Sequence, residues 1–274
     1  MNRPFTTVIL AMTADGKIAD VGRSHARFSS AADKAHLEKQ ISLADGVLFG
    51  AGTLRAYGTT LPIGDPQFLQ ARERQQKPPQ PIHIVCSASA QIDPQLPFFR
   101  QPVPRWLLAT AAGAKSWRES KREGFDRILV ADAGETFEAL RDEGTKGQGR
   151  VGRQLIQNQK SFHQMTNDKR QRTTDQSPIS NPKSIDWIDA LAQLKELGLQ
   201  KLAILGGGEL VASLLAKDLI DEFWLTVCPI ILGGVTAPTP VEGMGFPAQE
   251  ARRLELLSVE RIEGEIFLHY RLQR

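Results

Sequence analysis

The chain has 274 residues, 41% of them hydrophobic, with 34 Lys and Arg against 31 Asp and Glu and a net charge of +3. That apolar share is ample for a buried core and excludes a disordered chain, and no run approaches the ~18 consecutive apolar residues of a membrane-spanning helix. Residues 144–183 hold eight basic and two acidic residues, which leaves 26 basic against 29 acidic elsewhere, so the body of the protein is mildly acidic.

Residues 1–5 lead almost at once into a β-branched, apolar run, Phe5 to Met12, which predicts a buried strand; the start has no signal-peptide pattern, as in a cytoplasmic protein. Asp15-Gly16 then marks a turn, in Thr13-Ala14-Asp15-Gly16-Lys17-Ile18-Ala19. Ser30 with Asp33 reads as an acidic capping box opening a helix that runs to about Leu43, with Ala35, Leu37, Ile41 and Ala44 on its inner face. Val47-Leu48-Phe49 is a short strand that passes through Gly50-Ala51-Gly52-Thr53 into a second helix. Residues 61–81 are polar and proline-rich, a surface connection with one helical turn near 68–72. Strands follow at 82–86, 106–110 and 127–131, the rhythm of an α/β sheet, with a short helix at 137–140.

Residues 144–184 break that rhythm. They are rich in Gln, Asn, Lys, Arg, Ser and Thr and predict a disordered, solvated insertion in a single domain spanning 1–274. Phe162 is its only aromatic residue, so the basic segment reads as a loop and not as a nucleic-acid arm. Order returns in a helix over 185–197, with Ile188, Leu191, Ala192, Leu194 and Leu197 at helical spacing. A buried strand, 201–205, then meets Gly206-Gly207-Gly208-Glu209 at the head of another helix. Free N–H groups at such a turn, backed by the helix dipole, suit a phosphate. A long strand over 223–232 carries Pro229, and 254–260 with 266–272 form a terminal antiparallel hairpin. The five histidines and two cysteines show no metal-ligand spacing, so no metal is expected, and Cys86 and Cys228 read as two buried thiols.

Four stretches, in order, carry a family likeness: Leu10 to Ala19, Ser29 to Asp33, Gly50 to Ala56, and Gly206 to Leu210 with Leu219-Ile220-Asp221-Glu222 and Pro229 to Gly234 behind it. Through them the chain resembles the reductase domain of the riboflavin-pathway RibD family. The resemblance implies a dihydrofolate-reductase-like α/β fold, a mostly parallel central sheet flanked by helices and closed by the antiparallel hairpin. It further implies NADPH-dependent reduction of the ribosyl group of a 5-amino-6-(5-phosphoribosylamino)uracil to ribityl, in a homodimer. On it, Gly50, Gly52 and Thr53 would hold the cofactor from one side and Gly206, Gly207, Gly208 and Glu209 its pyrophosphate from the other. Ser24 matches a substrate-side serine. Lys17 would polarise the substrate or pass a proton through water, and Asp33 matches the position of the single acid that serves a pterin-like ring, unless it only caps its helix. Two departures stand out. Tyr57 replaces an aspartate and either contacts substrate or packs its ring; Leu205 replaces a glutamate. They leave open a reductase of the same fold acting on a pterin-like or other heterocycle. A nucleotide-binding or nucleic-acid-binding protein without catalysis, using the basic segment, is the reading from another class.

Overall fold

The computed structural model describes residues 2–24, 28, 30–133 and 184–274. The expected helix at 137–140 and the insertion 144–184 therefore lie outside the described residues, apart from Ser184. The flanks of this stretch meet: the Ala133 N–H donates to the Ser184 carbonyl at 2.8 Å, and Asp132 bridges Ile185.

Nine described strands form one sheet: β1 (Phe5–Thr13), β2 (Gly46–Gly50), β3 (Ile82–Cys86), β4 (Arg105–Ala109), β5 (Arg127–Val130), β6 (Lys201–Ile204), β7 (Glu222–Cys228), β8 (Leu254–Ile262) and β9 (Glu265–Leu272). Their spatial order is β5-β4-β3-β2-β6-β1-β7-β9-β8. Every pair from β5 to β7 is parallel, and the β7–β9 and β9–β8 pairs are antiparallel. This is the expected mostly parallel sheet with a terminal hairpin.

The central strands read as unbroken apolar runs because both faces of the sheet are covered. Val8, Leu48, Ile84 and Leu108 face a core with Leu191, Leu194, Val211 and Leu214. Their neighbours Ile9, Phe49, Val85 and Leu107 face a second core with Ile41, Leu54, Phe98 and Trp117. The helices supplying these residues are α1 (Ala31–Leu43), α2 (Ala51–Tyr57), α4 (Ala111–Glu119), α5 (Trp187–Glu196) and α6 (Gly208–Leu215), with Phe98 coming from the 3-10 turn Pro97–Arg100. None of the described helices is long and apolar enough to cross a membrane.

Several local expectations need correction. In α1, Ile41 and Ala44 are buried and Leu37 half-buried, but Ala35 is exposed, and the stripe begins with buried Asp33. Helical spacing thus places a carboxylate where an apolar residue would ordinarily stand. In α5 the seam is Ala190, Leu191 and Leu194, while Ile188 and Leu197 are exposed at the two ends. The single turn expected near residue 70 is a full helix, α3 (Pro66–Arg74), capped by Asp65 with Pro66 in its first turn. Its Arg72, 2% exposed, donates to the carbonyls of Ser42, Ala44 and Pro78 at 2.7–2.8 Å and so serves the end of α1. The strand expected to reach residue 232 ends at Cys228, because Pro229 has no N–H for the ladder. Helix α4 had no sequence counterpart; Thr110 caps it through Gly113 N–H.

Candidate functional site

Helix starts separate into two kinds. Ser30, Asp65, Thr110 and Asp186 cap α1, α3, α4 and α5 with their side chains. Helices α2 and α6 begin at Gly50 and Gly207, and neither has a side-chain cap. The first-turn N–H groups of a helix have no intrahelical acceptor, so these two starts leave donors for something else.

The two uncapped starts lie side by side. Strand β6 is inserted between β2 and β1, so the turns after β2 and β6 leave neighbouring strand ends, at the carboxyl edge where open α/β sheets bind ligands. The Gly50 N–H donates to the Gly206 carbonyl at 2.9 Å. A Cβ on Gly207 would stand 3.7 Å from Thr53 Oγ1, so the Thr53 hydroxyl faces the second turn. Gly206 has φ +87° and a cis peptide bond to Gly207, and a Cβ on it would meet Leu10 at 2.9 Å. A Cβ on Gly208 would stand 2.3 Å from the Thr239 carbonyl oxygen. Gly50, Thr53, Gly206, Gly207 and Gly208 thus converge, with Gly52 in the first turn of α2. Glu209 is exposed in the first turn of α6. Its carboxylate has the sign of a phosphate, so what it can offer an anion is its N–H.

The turn after β1 is fixed by its own hydrogen bonds. Lys17 N–H donates to Thr13 Oγ1 and Thr13 N–H to the Lys17 carbonyl, both at 2.9 Å. Asp15 accepts from Thr13 Oγ1 at 2.6 Å and from the N–H groups of Gly233 and Leu232. Those bonds, the Thr13 hydroxyl foremost, hold the Asp15 carboxyl down at about 2. Half-buried Lys17 is therefore anchored through its backbone to Thr13, in a turn that Asp15 ties to the loop beyond β7.

Ser24 is exposed, and its hydroxyl donates to Asp20 at 2.5 Å, which lowers the Asp20 pKa. The neighbouring Arg23 pairs with Glu242 at 2.9 Å, and Glu242 N–H donates to the Gly208 carbonyl. This chain of contacts ties the Ser24 loop to the start of α6. Tyr57 ends α2 and is 45% exposed. Leu205, where an acid was expected, is half-buried against the second core.

Asp33, 8% exposed, belongs to a cluster that the sequence did not reveal. Ser30 Oγ accepts from the Asp33 N–H at 3.1 Å, as a cap should. The returning carboxylate of the box is Glu265, 235 positions away: it accepts from Ser30 N–H at 3.0 Å and from Ser30 Oγ at 2.5 Å. The Cys228 thiol donates to the same carboxylate at 3.4 Å. Burial, then Glu265 and Asp33, push that thiol up to about 12, so it stays protonated as a donor. Cys228 pairs in register with Thr13 at the carboxyl ends of β7 and β1. The cluster therefore stands on the same edge as the glycine turns, two strands from β6, or about 10 Å across. One signal pointed to it: Glu265 shares a face with Phe267, and a buried acid at an inward strand position is out of pattern.

A groove of about 570 Å³ opens elsewhere, between Lys39 and Leu43 of α1 and Phe5, Lys201 and Trp224 of the strands. None of the expected site residues lines it.

The sequence profile described as the RibD C-terminal domain matches residues 4–147 and 152–268. A 2,5-diamino-6-ribosylamino-4(3H)-pyrimidinone 5′-phosphate reductase of Archaeoglobus fulgidus is 24% identical, over 97% of this chain and 96% of its own length. The riboflavin biosynthesis protein RibD of Actinobacillus pleuropneumoniae is 26% identical over 98% of this chain, which spans 57% of that protein. Among solved structures, Acinetobacter baumannii RibD superposes with a TM-score of 0.67 at 14% identity, over 100% of this chain and 59% of its own. A pyrimidine reductase-like protein of Corynebacterium diphtheriae does so at 0.65 and 18% identity, over 100% and 93%. At these identities the superpositions show a shared fold.

Proposed function

The chain belongs to the RibD C-terminal domain family, and from that premise we propose that it is an NADPH-dependent reductase of riboflavin biosynthesis. Its substrate is a 6-ribosylaminopyrimidine 5′-phosphate, whose ribosyl group it reduces to ribityl. The observation that carries the reading is the meeting of the two uncapped helix starts, with Gly50 N–H on the Gly206 carbonyl and Thr53 facing Gly207. The A. fulgidus relative, similar along nearly the whole chain, supports the substrate class.

The residues present fit a dinucleotide. Glycine at 206, 207 and 208 lets the backbone approach a pyrophosphate closely, and the first-turn N–H groups of α6, Glu209 N–H among them, are aimed at its charge. Gly50, Gly52 and Thr53 hold the cofactor on the other side, the Thr53 hydroxyl donating. When bound, NADPH supplies the hydride for C1′ of the opened sugar. The protein's own contribution is to hold donor and acceptor carbons together and keep water out. Asp33 holds the pyrimidine edge, Lys17 polarises the acceptor or relays a proton through water, and Ser24 and Tyr57 border the substrate.

A homodimer acting in the cytoplasm completes the proposal. On the hairpin, Leu254, Leu256, Val259 and Ile266 are 40–56% exposed, and β8 offers an edge beyond β9.

The test is oxidation of NADPH followed at 340 nm with the 2,5-diamino pyrimidinone ribosyl phosphate, its uracil counterpart and, in parallel, a dihydropterin. Turnover of either pyrimidine supports the reading. Turnover of a pterin alone overturns it in favour of another heterocycle, a possibility kept open by Leu205 and Tyr57. Restored growth of a host lacking its riboflavin reductase is the matching result in cells.

A further inference from the structure

Glu265 is a carboxylate only 4% exposed, and its hydrogen-bond partners are Ser30 and Cys228. Burying such a group is expensive unless donors surround it. Three of them do: an N–H, an O–H and an S–H. Two come from the residue that caps α1, so the bond joins the last strand of the sheet to the head of its first helix. Ser30 in turn has one hydroxyl for two tasks. Its oxygen accepts from Asp33 N–H while its proton goes to Glu265. The carboxylate therefore orients the hydroxyl that caps Asp33.

We propose that Glu265 is a positioning residue: acting through Ser30, it sets the first turn of α1 and with it the place of the Asp33 carboxylate at the carboxyl ends of β1 and β7. The bonds are directional. A carboxylate only accepts, so Ser30 O–H must point toward residue 265 and leave its lone pairs to Asp33 N–H. A glutamine there can turn its NH₂ to the hydroxyl. The Ser30 proton then seeks another acceptor, and the cap on Asp33 N–H competes with a second donor. The bonds of Glu265 run to Ser30 and Cys228 and the Ser30 hydroxyl caps Asp33 N–H, so the effect is expected on the substrate side of the site.

The inference rests on the reading of Asp33 as the acid that faces the substrate. It is tested in the full chain with Glu265→Gln, Ser30→Ala and the double variant, by two separate readouts. The first is amide exchange in residues 31–34, which needs no reductase activity. Glu265→Gln is expected to speed exchange of the Asp33 amide about tenfold, the effect of losing a charge-assisted bond, with β6 unchanged. The second is the KM of the pyrimidine phosphate at saturating NADPH. It is expected to rise about tenfold in each single variant, with NADPH affinity unchanged and the double variant no worse than either single. Unchanged exchange overturns the proposal, and so does a parallel loss of NADPH and pyrimidine binding, or additive effects in the double variant. Should Glu265→Gln not fold, Ser30→Ala, which removes one hydroxyl, carries both readouts. If the parent protein turns over no pyrimidine, the functional reading fails and the exchange result decides the proposal alone.

Discussion

The two ends of the site are built from different materials. Around β2 and β6 the protein offers backbone: glycines, uncapped helix starts and a carbonyl-to-amide contact between two turns. Around β1, β7 and β9 it offers side chains: buried Asp33, Cys228 and Glu265, with half-buried Ser30 bonded to Glu265 and to the Asp33 N–H, and Cys228 bonded to Glu265. A backbone anion site is generic and suits the invariant part of a dinucleotide. A cluster of buried acids is particular and suits the discrimination of one heterocycle. Selectivity for cofactor and for substrate should therefore be separable by mutation.

The largest expected break is at the side-chain end. Asp33→Asn, which removes the charge that holds the pyrimidine edge, should lower kcat/KM for the pyrimidine by about 10²-fold, the upper value for a hydrogen bond to a charged group, while NADPH titration of tryptophan fluorescence shows the parent affinity. Equal loss of both would merge the two ends into one unit. Gly208→Ala attacks the backbone end. A methyl 2.3 Å from the Thr239 carbonyl forces the start of α6 to shift, at a cost of about 1–3 kcal/mol, and NADPH affinity should fall before substrate KM at saturating cofactor changes.

A control lies outside both ends. His83 is fully buried, with Nδ1 2.8 Å from Thr60 Oγ1, and burial followed by the Arg72 charge brings its pKa down to about 3. Above about 6.5 it is neutral in both folded and unfolded chains. As pH falls below that value the unfolded chain binds a proton that the folded one refuses, so stability is lost progressively toward pH 3. The expected loss between pH 6.5 and 5 is about 2 kcal/mol, at ~1.4 kcal/mol per unit. Urea unfolding at the two pH values measures it, and His83→Asn should flatten the slope without changing the ratio of the two binding constants. The smallest effect is that of Thr53→Ala. It should weaken NADPH about tenfold, the value of one hydrogen bond to a charged group, and leave the pyrimidine KM alone. An unchanged NADPH affinity would remove Thr53 from the cofactor side.

Legibility followed the same division. The glycine turns were visible because each is a contiguous word between a strand and a helix, and the central strands because two covered faces make unbroken apolar runs. Ser30 was visible as a cap, but its carboxylate partner was assigned to Asp33, three residues on, when the structure uses Glu265 from the last strand. Arg72 looked like part of a polar connection, and it is buried in α3, donating to the carbonyls of Ser42 and Ala44 at the end of α1. The edges of helices misled for a simpler reason: spacing identifies a face but not where the neighbouring helix or sheet stops, so Ala35, Ile188 and Leu197 are exposed.

By itself the sequence determined what is local: strand and helix order, the two turns whose glycines admit a close backbone, and the family they signal. Tertiary structure decided what depends on strand order in space. Placing β6 between β2 and β1 brings residues 50 and 206 within one hydrogen bond, and placing β9 beside β7 delivers Glu265 to Ser30. Backbone sites follow from consecutive residues. Side-chain clusters require distant segments to pay their loop-closure and burial costs together, and only the folded sheet says which segments those are.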